Sequence, residues 1–164
     1  MRGDKMNAFL VENPLPALMF SRNTKHQYYS NVFVTTQIPD RHCLEEANVA
    51  PLFLTSEEGG LFDELISNLS EKAEVIASSV GLELNSDDQV EAHYAFLGYV
   101  YAILWSETYR QRFIGQLRID FPRIPGRPGA AQFSELSKIG LDLISLHTME
   151  SVGIKGTSAV AVGD

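Results

Sequence analysis

The spacing of apolar positions changes character partway along the chain. Before Gly60 the apolar residues come in short runs. Leu18-Met19-Phe20 is followed by a polar, aromatic stretch from Ser21 to Ser30. Asn31 to Ile38 is β-branched and aromatic, which predicts a strand stopped at Pro39-Asp40. Pro51 to Thr55 predicts a second strand, ended by Glu57-Glu58-Gly59-Gly60. After Gly60 the period becomes helical. Leu61, Phe62, Leu65, Leu69, Val75 and Ile76 recur every three to four residues. From Asp88 to Trp105 the chain is apolar nearly all round, with Tyr94, Leu97, Tyr101 and Leu104 in one stripe, which predicts a central, buried helix. Ser106 is placed to cap a further short helix. Pro122, Pro125 and Pro128 force an extended segment. A last helix from Gln132 to about Ser151 puts Phe133, Leu136, Ile139, Leu143, Leu146 and His147 on its apolar face. The expected fold class is α+β. A strand-and-loop part over about 17–56 packs on a helical part over about 61–80, 88–105, 107–117 and 131–151. Residues 1–16 read as a tail or domain edge, 17–152 as one domain and 153–164 as a flexible tail.

Composition narrows the class. At 164 residues, 45% hydrophobic and 21% charged, the chain has the make-up of one globular domain. No apolar run approaches the ~20 residues of a membrane helix. No secretory h-region follows the start, and Cys43 is the single cysteine, so a reduced, cytoplasmic setting is expected. The net charge of −8 argues against indiscriminate binding to nucleic acid or membrane. The charge is uneven, however. Residues 61–107 hold 9 acidic side chains and 1 basic, whereas 108–128 hold 5 Arg and 1 Asp. Every cation in that second stretch is Arg, whose planar fork suits phosphates and base edges.

Most candidate chemistry reduces to structure. His26, His42, His93 and His147 lack the i, i+3 or i, i+4 spacing of a metal site. His42 and Cys43 are adjacent, which points their side chains apart on a strand, and nothing else supports a nucleophile pair. His147 is expected at the core edge, its ring hydrogen-bonded. Adjacent carboxylates such as Asp63-Glu64 and Asp87-Asp88 fit helix starts and loops better than acid–base catalysis. The aromatic run from Tyr94 to Tyr109 is core by its helical spacing, with Tyr99 and Tyr109 facing away and open to a stacking role. Two segments remain. One is the arginine stretch, with Arg110, Arg112, Arg118, Arg123 and Arg127. The other is the polar loop with Arg22, Asn23, Lys25 and Gln27, residue types used for base readout.

The segment from Tyr99 to Pro125 carries a resemblance. It is similar to the pattern Y-x-Y-A-I-L-x-S-x-x-Y-R-x-R-Y/F followed by L-K/R-x-D-F-P-R-I-P in the C-terminal specificity domain of type ISP restriction–modification enzymes. Phe133 to His147 resembles that domain's closing F-x-x-L-x-x-x-G-x-x-L-x-x-L-H. Ser21-Arg22-Asn23 and Phe33-Val34-Thr35 with Ile38 resemble that domain's R-Q, F-V-T and I start, and Pro51-Leu52-Phe53-Leu54 resembles its F-P-L-Y-L-Y strand. The similarity spans about 17–150.

The resemblance implies a DNA target-recognition domain that embraces double-stranded DNA and works with an adenine-N6 methyltransferase domain or subunit, which flips the target base. Arg22, Asn23, Lys25 and Gln27 would read bases; Arg110, Arg112, Arg118 and Arg123 would contact phosphates or buttress a domain joint. Asp120 and Arg123 are equally placed for a structural ion pair. No catalysis, cofactor or metal is expected of this chain, because Asn13-Pro14-Leu15-Pro16 is only a superficial echo of the methyltransferase's Asn-Pro-Pro-aromatic motif. The competing reading is a protein–protein interaction module that docks a methyltransferase without touching DNA. A small hydrolase using His26, His42 or Cys43 has no supporting spacing.

Overall fold

A computed structural model describes residues 15–22, 24–25, 27–39, 44, 47–55, 65–85 and 88–149. Three short strands, β1 (Ala17–Ser21), β2 (Val32–Thr35) and β3 (Ala47–Pro51), form an antiparallel sheet in the order β2-β1-β3. Leu18 faces Val34 and Ala50, and Met19 faces Phe33 and Val49. A two-stranded ribbon follows, β4 (Phe53–Thr55) paired antiparallel with β5 (Leu65–Ser67). Four helices complete the described chain: α1 (Glu71–Ser79), α2 (Gln89–Trp105), α3 (Glu107–Leu117) and α4 (Ala130–Thr148). The α+β class read from the sequence holds.

Strand alternation decides where the sheet's side chains go. Leu18, Phe20, Val32 and Val34 point toward the helices and join the main core. Ala17, Met19 and Val49 point the other way and bury a smaller cluster with Leu44. The two sheets are tied by backbone: Leu52 N–H donates to the Pro16 carbonyl at 3.3 Å and Asn68 N–H to the Leu52 carbonyl at 2.9 Å.

One sequence expectation fails here. The helix expected over 61–80 does not hold at Leu65: Leu65-Ile66-Ser67 is a strand, and the helix begins only at Glu71, with extended Ser70 at its N-cap. Three-to-four spacing of leucines does not distinguish a helix from a strand followed by a turn. The register with Phe53–Thr55 made the choice. Likewise the expected strand over 31–38 shortens to Val32–Thr35, and β1 and β3 were not foreseen.

α2 is the central helix, with ten of its seventeen residues buried. Its partner is α4, and the two cross in van der Waals contact of their backbones. A Cβ built on Gly140 would land on the Gly98 carbonyl, and one built on Gly98 would land on the Ser137 carbonyl. That close approach corrects the expected face of α4. The buried set is Phe133, Ser137, Gly140, Leu141 and Ile144, while Ile139 and Leu146 are exposed. Small residues occupy the seam because helices this close leave no room for large ones. Large side chains beside it, such as Leu97 and Ile144, each contribute about 1.5–3 kcal/mol by burial.

His93 on α2 is fully buried and serves the ribbon. Its Nδ1 lies 2.6 Å from the Gln89 carbonyl, so that nitrogen carries the proton and donates. Nε2 therefore accepts from Ser67 Oγ at 2.7 Å, and the ring stacks on Phe53 at 4.3 Å. Burial lowers its pKa, opposed by the hydrogen bond to Gln89.

Candidate nucleic-acid interface

The diagnostic segment 99–125 is largely a frame. Tyr99 and Tyr109, expected to face outward, are buried, and each donates its hydroxyl to a carbonyl of the Pro-punctuated segment. Tyr99 bonds the Pro125 carbonyl at 2.9 Å and Tyr109 bonds the Arg123 carbonyl at 2.8 Å. A segment whose prolines lack N–H groups forms no ladder of its own, so two phenols from the helices hold it instead. Burial raises the pKa of both tyrosines, keeping them protonated as donors. Tyr101, with its pKa pushed by burial to about 12, pairs with His147 Nδ1 at 2.6 Å, and His147 packs on Trp105 at 4.5 Å. The expected hydrogen-bonded His147 is thus present. Ser106 ends α2 and caps α3, accepting from Tyr109 N–H at 3.3 Å.

The arginines divide into two kinds. Arg110 is held by the frame. Its Nε donates to the Leu104 carbonyl at 2.6 Å, closing the C-terminus of α2, and its guanidinium lies 4.1 Å over the Trp105 ring. Burial lowers its pKa, opposed by the hydroxyls of Tyr29 and Tyr101. Its Nη2 is buried without a hydrogen-bond partner. Arg112, Arg118, Arg123 and Arg127 are exposed. Arg112 lies 5.7 Å from the Phe113 ring centroid, and Arg118 follows the last turn of α3.

The two segments singled out from the sequence meet in space. The loop after β1 is closed at its base by Ser21 N–H to the Asn31 carbonyl at 3.1 Å and by the buried Tyr29 hydroxyl to the Ser21 carbonyl at 3.3 Å. At one end of the loop Arg22 Nε lies 3.9 Å from Asp120, whose other oxygen lies 3.6 Å from Arg123. Arg22 also sits 5.6 Å over the Phe121 ring, which packs edge-on against Phe20 at 5.8 Å. The Asp120–Arg123 pair expected from the sequence is thus present, widened to include Arg22. All three charges are solvent-exposed, so the cluster adds little stability. It does leave two guanidinium groups from different elements beside one another at the surface. At the other end of the loop Gln27, Tyr28 and Tyr29 line a cleft of about 430 Å³ with Trp105, Glu107, Arg110, Gln111 and Ile114. The loop therefore spans from the start of α3 to the segment after its end.

Lys25 and Gln27 are exposed. Asn23, His26, His42, Cys43, Asn13 and Pro14 lie outside the described residues. Among the described residues no three His, Cys, Asp or Glu side chains group as a metal site, and no helix is long and apolar enough to cross a membrane. Sequence reasoning missed the cleft. Glu107, Arg110, Gln111 and Ile114 fall at i, i+3, i+4 and i+7, a signal of one shared face of α3 that was open to view.

The helical frame thus holds the loop of Arg22 and Lys25 against the stretch of Arg118 and Arg123 at the surface. Residues 3–163 match the family described as the type ISP C-terminal specificity domain, and the chain belongs to that family. Its family is thus one of specificity, or target-recognition, domains. The fold is shared with a solved structure, the cryo-EM structure of the DrdV–DNA complex, at a TM-score of 0.62 and 22% identity. The match covers 80% of this chain and 12% of that one. No curated protein matches the chain in sequence.

Proposed function

We propose that this chain recognises a sequence in double-stranded DNA for a type ISP-like restriction–modification system and has no catalytic role of its own. The observation that carries the reading is the junction at Asp120, where the loop of Arg22, Lys25 and Gln27 meets the stretch of Arg118 and Arg123. Arg112, Arg118 and Arg123 contact phosphates and set the register; Arg22, Asn23, Lys25 and Gln27 reach base edges. Arg110 leaves the phosphate set, because its guanidinium is committed to Leu104 and Trp105. The DNA of the DrdV complex supports the reading by analogy of fold. A net charge of −8 makes the binding modest and dependent on the rest of the enzyme, an adenine-N6 methyltransferase domain or subunit in the cytoplasm.

The test is the salt dependence of binding to a mixed-sequence duplex. The affinity of the intact chain falls steeply with salt, and Arg118→Ala with Arg123→Ala flattens the log–log slope by about 2. An unchanged slope in the double variant sinks the assignment. A second reading, docking to a methyltransferase without DNA contact, is favoured by the outer face of α4. Ile139 and Leu146, seven residues apart, are 46% and 73% exposed there. That reading expects the double variant to leave both affinity and slope untouched.

A further inference from the structure

The cleft beneath Tyr28 has a composition that phosphate contact does not call for. Its walls come from the loop after β1 (Gln27, Tyr28, Tyr29) and from one face of α3 (Glu107, Arg110, Gln111, Ile114), with Trp105 between them. At about 430 Å³ it lies in the range of small-ligand sites. Tyr28 is 77% exposed on a loop that otherwise buries its aromatic neighbour Tyr29. A large ring held in solvent beside a cleft offers a flat stacking surface. The polar lining is mixed in kind. Arg110 supplies only donors and the Glu107 carboxylate only acceptors, while Gln27 and Gln111 carry one of each. Gln111 already donates to Glu107 at 2.8 Å, which fixes the pair along the wall. Such a mixed edge suits a planar heterocycle with its own donors and acceptors better than an anion, which Glu107 would repel.

We infer that this cleft is a subsite for one nucleobase turned out of the DNA stack, with Tyr28 as its stacking partner and Gln27 and Gln111 along its hydrogen-bonding edge. The inference rests on the DNA reading above and gives that surface a second role, which is to stabilise an extrahelical base beside the duplex it recognises. The cost of unstacking a base falls when the base is already unpaired, so an unpaired base reveals the site most directly.

The experiment compares a fully paired duplex with the same duplex carrying one unpaired nucleotide, titrated with the intact chain. The bulged duplex binds about tenfold more tightly, the scale of one base–aromatic stack. Tyr28→Ala abolishes that preference and leaves paired-duplex affinity unchanged, whereas Tyr28→Phe retains it. Arg118→Ala with Arg123→Ala weakens both duplexes equally and preserves their ratio. Equal binding of the two duplexes overturns the inference, as does a preference that survives Tyr28→Ala; either leaves DNA recognition standing. Absence of salt-dependent binding to both duplexes removes the DNA reading itself, and the subsite with it.

Discussion

The seam between α2 and α4 and the joint between the loop 22–29 and the arginine stretch are built from opposite materials. In the seam, Gly98, Ser137 and Gly140 let two backbones touch, and Leu97, Leu141 and Ile144 fill the flanks. At the joint, contact is made by the exposed Arg22, Asp120 and Arg123, two aromatic edges and a few hydrogen bonds to carbonyls. The first is close-packed and intolerant of one added methyl group. The second is held at a handful of points and keeps its charged groups in water. The difference teaches that the most recognisable part of this chain is mainly scaffold. Tyr99, Tyr101, Ser106, Tyr109 and Arg110 each satisfy a backbone or ring partner. The groups left to meet a ligand are the exposed ones around them.

The sharpest way to break this contrast is at Gly140. Replacement by Ala drives a Cβ into the Gly98 carbonyl and forces the helices apart. The expected loss is about 3 kcal/mol, the upper part of the usual range for overpacking. Urea unfolding of the variant measures it; a loss under about 1 kcal/mol would mean that the seam yields and is not close-packed. Tyr109→Phe asks the same of the joint. It removes one hydroxyl from the Arg123 carbonyl and costs about 1 kcal/mol. Its more specific effect is faster proteolysis after Arg123, with helix content by circular dichroism retained. Collapse of the helices in this variant would show that the phenol supports the core and not the segment alone.

The smallest effect is confined to mild acid. The folded-state pKa of His93 is lowered, so the unfolded chain binds its proton more readily than the folded one. Its contribution is therefore complete above the unfolded value near 6.5 and is lost as pH falls from there through the lowered folded value. At neutral pH no change is expected. Titration of the His93 ring by NMR should give a midpoint below 6.5; a midpoint at or above it contradicts the buried, neutral ring bonded to Gln89 and Ser67.

The last three helices were legible in the sequence to within a few residues, because α2 and α3 follow the 3.6 period and share Ser106 as stop and start. The same periodicity misled at Leu65, where a strand partner outweighed it, and on α4, where Ile139 and Leu146 belonged to the apolar stripe and yet lie outside the seam. The candidate site was legible as two separate segments. Nothing in their residue types showed that Arg22 and Arg123 share Asp120, since about a hundred residues lie between them. The sequence by itself determined the last three helices, the α+β class and the family, because these depend on local spacing and on an ordered string of residue types. Only the tertiary structure decided which arginine is free. Arg110 and Arg112 are two residues apart and chemically identical; one is claimed by the end of α2 and a tryptophan face, the other is turned to solvent. Helix rotation and the position of neighbouring elements set that outcome, and neither is written in the side chain itself.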